Sequence, residues 1–534
     1  MSYNILWYSI PALHDNSNGA AIANKILLET LAKRGFNVKV LNAMVADDPH
    51  GLEIFKKIEA QLQAQQAQQA QQAQQAKLAA PQGQQSLSPS GPQHEQSEHL
   101  QFIDNGVQYF VLKTQNHTID TINTAEQAKI FLLFSQLLEK FQPDVVMGYS
   151  GDFFSCYLRR ECQCRGIPFV YAVCNPYHHG FAFPDCDLVF APSQALAQSY
   201  RDQDQVDMKA VGQFIDRAKV TAADRSGAKY ITLVNPIPKK GLAILAKLAM
   251  IWQERHPEQK FLVVKSIGDY GQIVRTLHYA DGRPLVDQAA LQRDPSLAKS
   301  ILPNVDVAEH TDDMRLVYAL TKVLLVPSVY DEAWGCVATE AVFNNIPVLA
   351  TNNCGLPDAV AEGGIVLPPP ASTQADNLCI PSDEEIKPWV EALEHLLNED
   401  WTEQCAKASA RNDLEQSVDN LLKYLMPLME RGRQNKRPLD QSNFFAVPLL
   451  QQHKQEVLAE LAKEQVKAQG QAKVQGQAKT QATNQAQSTL VDPTLVPAGV
   501  APTLVPAGGA AVSRYAKPQR PAAIRKHKQK KKKR

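Results

Sequence analysis

A chain of 534 residues, 44% of them hydrophobic, is long enough for two or three domains and apolar enough to bury a core in each. No apolar run approaches the ~18 residues needed to span a bilayer. The first residues, MSYNILWYSIPALHD, carry neither a basic n-region nor a cleavage-like site, so secretion is not expected. The balance of 55 Lys/Arg against 55 Asp/Glu hides an asymmetry, because eleven basic residues and no acid fall between Ser513 and Arg534 and leave the rest of the chain at net −11. The nine cysteines are odd in number and hold no C-x2-C pair, which points to a reduced, cytosolic compartment. Five of them (Cys156, Cys162, Cys164, Cys174 and Cys186) cluster with a spacing that suits no common zinc module, so buried small hydrophobes are expected there and no metal.

In chain order, Asn4 to Ile10 reads as a strand that ends at Pro11. The loop HDNSNG leads into an amphipathic helix from about Ala20 to Arg34, which Gly35 stops, and FNVKVLNAM is the next strand. This β-loop-α-β unit opens a doubly wound sheet. Residues 61–98 interrupt it with a QAQ/AQQ repeat followed by a Pro/Ser/Gly-rich stretch. The composition predicts a disordered surface insertion, with a solvated helix open to the Ala/Gln part. The α/β pattern resumes at Gln108 to Leu112. It continues through a helix near 125–141 and the strand-like runs DVVMG, PFVYAVCN, DLVFAPS and VDMKAVG. The pattern breaks at 216–227, read as a linker, and a second series follows with KYITLVNP, FLVVKSIG, VDVAEH, KVLLVPS, IPVLATN and GIVLPPP. A helical pair, 386–398 and 413–429, closes it. The expected organisation is therefore an α/β chain of two domains, 1–215 and 216–430. A low-complexity basic tail follows over 431–534, read as disordered, with a helix signal at 449–469.

The stretch that carries chemistry is PSVYDEAWGCVATEAVFNNIPVLATNNCGLPD, Pro327 to Asp358. An apolar strand leads in, and a helix-forming run and a second apolar strand follow. This is a loop-to-helix turn at the carboxyl end of a parallel strand, where open α/β sheets bind ligands. A helix amino terminus offers free N–H groups and a positive dipole end to a phosphate. Glu332 and Glu340, eight apart with Gly335 between them, can accept hydrogen bonds from sugar hydroxyls. Two shorter motifs carry less. Asp185-Cys186-Asp187 matches a D-x-D metal signature but precedes a strand, and GYSG at 148–151 is not G-x-S-x-G. No P-loop, G-x-G-x-x-G or HExxH appears.

Ser328, Glu332, Gly335, Glu340 and Ala341 fall in register with the signature of retaining GT-B glycosyltransferases, particularly the family-4 group (glycosyl transferases group 1), which this segment resembles. The resemblance covers residues 3–430 without the insertion. It implies a GT-B fold, two Rossmann-like domains facing across a cleft, and a metal-independent hexosyltransferase. Such an enzyme moves a sugar from a nucleoside-diphosphate donor to a glycan, lipid or other acceptor hydroxyl with retention, as in cell-surface polysaccharide or glycoconjugate synthesis. It further implies that Glu332 contacts the donor sugar and Glu340 the ribose. Gly335, Cys336 and Val337 would present N–H groups, and Lys240 in NPIPKKG would face the diphosphate. The family commonly has Arg five residues before that Lys, and here Asn235 stands in its place as a neutral amide donor. Gly19 keeps the first of two glycines usual after the first strand. Where the family tends to have His after its IPFVYAVCN-like strand, this chain has Cys174 or Asn175, and His178 and His179 follow as candidates to reach the cleft.

Two other classes use paired doubly wound domains: a phosphorylase or nucleotide-sugar epimerase, and a non-catalytic scaffold that has kept the fold. The expected partners are a nucleotide-sugar donor and a glycan or lipid-linked acceptor, with no specific nucleic acid and no cofactor. The Lys-rich tail is open to three readings, attraction to anionic lipid, non-specific binding of nucleic acid or a plain solvated tail; the expected location is cytoplasmic, peripheral at the inner membrane face on the first of these.

Overall fold

Continuous apolar runs such as KVLLV suit strands buried on both faces, which is what a parallel sheet flanked by helices requires. Two such sheets are built. The computed structural model describes residues 2–437 except 17, 47, 48, 80–97, 267 and 294–300. The Pro/Ser/Gly-rich part of the insertion and the tail beyond residue 437, with its helix signal and its Lys run, lie outside the described residues, while residues 431–435 of the expected tail complete the last helix.

The first sheet contains β1 (Asn4–Tyr8), β2 (Asn37–Ala43), β3 (His99–Asp104), β4 (Val107–Leu112), β5 (Val145–Gly148), β6 (Phe169–Ala172), β7 (Leu188–Ala191) and β8 (Lys209–Ala210). Their order is β3-β4-β2-β1-β5-β6-β7-β8, parallel throughout except for the antiparallel β3–β4 pair. The second sheet contains β9 (Tyr230–Val234), β10 (Phe261–Val264), β11 (Val305–Ala308), β12 (Thr321–Val326), β13 (Val348–Thr351) and β14 (Gly364–Leu367). It is ordered β11-β10-β9-β12-β13-β14 and is wholly parallel. In each sheet the strand order reverses next to the first strand, at β1/β5 and at β9/β12. Open α/β sheets bind ligands outside the carboxyl ends of the strands at such switch points.

Each sheet is covered on both faces. The helix Gly19–Lys33 packs Leu27, Leu28 and Leu31 on one face of the first sheet, and Thr124–Phe141 and Phe153–Cys164 cover the other. Leu242–Arg255 and Asp383–Asn398 cover one face of the second sheet. Cys336–Phe343, Leu356–Val360 and Thr402–Arg411 cover the other. The Ala/Gln run continues a helix, Glu53–Ala79, whose first turns are anchored by Phe55, Ile58 and Leu62 in the core of the first sheet. Ala and Gln are good helix formers, so the repeat can extend a helix that hydrophobes have already nucleated.

The last helix, Leu414–Asn435, crosses back to the first sheet and buries Val418, Leu421, Leu425 and Met429 in its core. Asp144 pins it, accepting from Arg433 Nη2 at 3.2 Å, from Lys436 Nζ at 2.9 Å and from the Asn4 N–H at 2.8 Å. At Gly432 a Cβ would lie 1.9 Å from the Asp144 carbonyl, so only glycine allows this approach. The two sheets are also joined directly: the Gln194 N–H donates to Asp358 Oδ2 at 2.8 Å, and Ala333 packs in the core of the first sheet. Among the described residues no helix is long and apolar enough to cross a membrane.

Candidate active site

The turn after β12 is fixed from below. Ser328 is fully buried, and its carbonyl accepts from Thr351 Oγ1 at 2.6 Å and Asn353 Nδ2 at 2.8 Å. Its hydroxyl donates to Glu332 Oε1 at 2.6 Å, and Lys240 Nζ donates to the same oxygen. Lys240 ends the short turn after β9. The next residue, Gly241, has φ +82°, and a Cβ there would lie 2.0 Å from the Pro327 carbonyl. Two switch-point loops therefore close on each other and deliver an ion pair, Lys240–Glu332. Glu332 is 8% exposed, and Lys240 Nζ lies 5.3 Å from the centre of the Tyr330 ring. Burial on its own would lower the lysine's pKa, but Glu332 and Tyr330 outweigh it and hold the ammonium raised and charged. Burial, reinforced by Glu332, pushes the Tyr330 phenol up to about 12.

Gly335 precedes the helix Cys336–Phe343 with φ +105° and supplies no side-chain cap. A Cβ there would meet Leu356 Cδ2 at 2.5 Å. The first N–H groups of the helix are left for a ligand, as an anion site at a helix amino terminus requires. They line a cavity of about 280 Å³ together with Lys240, Glu332 and, from the first sheet, Gly19 and Cys174. Gly19 opens its helix behind the Asn18 cap, and open space surrounds the position of its missing side chain. A second cavity of about 430 Å³ holds Glu340, Lys219 and His310 opposite His14 and Lys25, and Gly19, Ala23, Phe214 and Cys336 line both. Two adjoining chambers of this size fall in the range of small-molecule sites.

Glu340 is half-buried on the helix, and Tyr318 Oη donates to its Oε2 at 2.6 Å. Burial raises its pKa against the effect of that bond. Cys336, pushed up to about 12 by burial and by Glu340, is a neutral thiol that accepts from Gln213 Nε2 at 3.4 Å.

The structure thus brings Glu332, Lys240, Gly335, Cys336, Val337 and Gly19 to one chamber and Glu340 to the next. Asn235 is placed elsewhere in its loop. It takes the left-handed conformation at φ +62°, and its Oδ1 accepts from the Gly268 N–H at 3.3 Å. It lines neither chamber. His178 and His179 line neither chamber as well. The His178 N–H donates to Tyr200 Oη at 2.9 Å, and burial lowers its ring pKa. His179 stacks on Tyr200 at 4.2 Å and bonds Asp204 Oδ2 at 2.5 Å.

Asp185 and Asp187 brace the fold. Asp185 meets Arg160, and Asp187 accepts from Gln163, the Phe169 N–H and Arg431. No group of three metal-binding side chains occurs among the described residues. Sequence reading missed Tyr330, Tyr318 and the β3–β4 hairpin, which carries Asp104 into the second chamber. The hairpin had a signal in Asn105-Gly106, whose φ values of +48° and +83° suit a tight two-residue turn.

Residues 219–413 match the family model described as glycosyl transferases group 1. Among curated proteins the chain is similar to the D-inositol 3-phosphate glycosyltransferase of Corynebacterium kroppenstedtii, 27% identical over 169 residues, 30% of this chain and 35% of that one. The enzyme of the same name from Corynebacterium efficiens is 27% identical over 246 residues, 44% of this chain and 52% of that one. The matched stretches span about a third to a half of these relatives' length. Among solved structures, a glycosyltransferase from Rickettsia africae aligns at TM-score 0.49 and 12% identity, covering 80% of this chain and 99% of that one. Sucrose-phosphate synthase from Thermosynechococcus elongatus aligns at TM-score 0.49 and 14% identity, over 80% and 99%.

Proposed function

We propose that this chain, whose residues 219–413 match the family model of glycosyl transferases group 1, transfers a hexosyl unit from a nucleoside-diphosphate sugar to an acceptor hydroxyl with retention of configuration. The observation that carries the reading is the Lys240–Glu332 pair facing the uncapped amino terminus of Cys336–Phe343 in one chamber. A diphosphate there meets an ammonium held charged and free N–H groups, both already oriented, and this stabilises the negative charge that grows as the anomeric C–O bond breaks. These groups supply the positive charge, so the reading calls for no metal.

Glu332 keeps one oxygen for Lys240 and Ser328 and offers the other to sugar hydroxyls. Glu340, in the adjoining chamber, takes the ribose diol. Front-side displacement fits this cleft. The acceptor oxygen bonds the anomeric carbon on the face the diphosphate leaves, its proton passes to the departing phosphate oxygen, and the nucleoside diphosphate is released. Neither His178 nor His179 has a part in this scheme. The acceptor is read as a glycan or lipid-linked glycan on the cytoplasmic side of polysaccharide or glycoconjugate synthesis.

The test incubates the full chain with UDP-, GDP- and ADP-hexoses, with water or an added oligosaccharide as acceptor, and reads the first-formed anomer by NMR. An α-linked product from an α-linked donor is expected. An inverted linkage overturns retention. Phosphorolysis or an epimerised donor assigns the other enzyme classes, and no turnover of any donor assigns a scaffold.

A further inference from the structure

Soluble proteins seldom leave several large aromatic rings in water side by side, and where they do the patch usually binds something. Phe153, Tyr157 and Tyr177 are 91%, 62% and 63% exposed. Phe153 and Tyr157 stand one turn apart on the same face of the helix that follows β5, the switch strand of the first sheet. Tyr177 lies on the loop after β6, and its neighbour His178 reaches the segment that leads into that helix: a Cβ at Gly151 would lie 3.1 Å from the His178 ring.

This exposure is built in. Asp152 caps the helix at the Ser155 N–H and binds the Ser155 hydroxyl at 2.7 Å. Arg159, 1% exposed, ties the helix to the Ser150 and Pro184 carbonyls at 2.9 and 3.2 Å. The Tyr177 loop is held by Tyr200 and Asp204, acting on His178, His179 and Gly180. These bonds fix the chain immediately after Tyr177. The loop begins at Cys174, which lines the first chamber, and burial, with Glu332 and Asp331 adding to it, raises the Tyr177 phenol above its ordinary value. Tyr177 thus stands on a loop that leaves the wall of the first chamber, three residues after Cys174.

We propose that Phe153, Tyr157 and Tyr177 form a ledge on which successive sugar rings of a glycan acceptor stack as its terminal hydroxyl enters the chamber of Lys240 and Glu332. Pyranose rings present flat C–H faces that pack on aromatic rings, and a pre-ordered ring gives up little entropy on binding. This inference rests on the glycosyltransferase reading, and it commits the acceptor to a chain of sugars rather than a lone small molecule.

The experiment uses the full chain, F153A/Y157A, Y177A and the ring-retaining F153Y/Y157F. The probes are malto-, cello- and chitohexaose, with binding measured by NMR line broadening. Wild type is expected to bind at least one hexaose. F153A/Y157A and Y177A should each weaken it about tenfold, the scale of one lost ring-stacking contact, and F153Y/Y157F should restore it. Affinity within about twofold of wild type in both alanine variants overturns the ledge, as does failure of wild type to bind any hexaose. Loss of binding to phosphatidylglycerol vesicles in place of hexaose binding assigns the rings to a membrane and also overturns it. Donor cleavage by wild type is read separately with the three nucleotide hexoses. Its absence sinks the glycosyltransferase reading, whereas cleavage without a hexaose effect sinks the ledge alone.

Discussion

Replacing Gly335 by Ala perturbs the site at its narrowest point. The residue sits at φ +105°, where an L side chain is strained by about 1–3 kcal/mol. The new methyl would lie 2.5 Å from Leu356 Cδ2, and Leu356 is fully buried. Forcing it aside in a packed core adds about 1–3 kcal/mol. The combined cost of roughly 2–6 kcal/mol can be relieved only by moving the turn, which carries the Cys336 and Val337 N–H groups away from the chamber. Chemical denaturation of the full chain should therefore show a loss of at least about 2 kcal/mol. Nucleotide release from the best donor should fall about 100-fold, the scale of a displaced anion-stabilising donor. A G335A protein with an unchanged denaturation midpoint and a release rate within about twofold of wild type would refute this account of the turn.

Two further outcomes are expected. Burial raises Glu340 above its ordinary value near 4.5, so the protonated carboxyl favours the fold below that value, and this contribution is lost as pH rises through the raised one. E340Q should therefore gain melting temperature relative to wild type as pH increases from about 5 to 8 while donor binding weakens, and a pH-independent difference would contradict the shift. D144A frees Arg433, Lys436 and the Asn4 N–H together. It should cost about 2–4 kcal/mol and speed tryptic cleavage after Arg431 or Arg433, and unchanged proteolysis would show that the last helix is held by its apolar face alone.

The fold was readable where apolar periodicity is strong. The β-loop-α-β opening and the run from KVLLV through IPVLATN appear within a residue or two of the expected bounds, because a strand buried on both faces leaves an uninterrupted hydrophobic signature. The partner of the last helix was not readable. Val418, Leu421, Leu425 and Met429 declare an amphipathic face, but helical spacing does not say which sheet it covers. Asn235 shows the same limit for the site. Residue type alone announces a neutral amide in a loop, but not that this asparagine takes a positive φ and accepts from the Gly268 N–H. Tyr330 could not be found from spacing, since its role comes from lying beside a lysine 90 positions earlier in the chain.

The central claim is that Lys240, charged and oriented by Glu332, meets the leaving diphosphate. Its most direct test is the rate of nucleotide release from UDP-, GDP- and ADP-hexoses by wild type and K240A, with folding followed by the same denaturation curve. Release from at least one donor, reduced about 100-fold or more in a folded K240A protein, is the predicted result. Equal rates in the two proteins, or no release by wild type from any of the three donors, would contradict it.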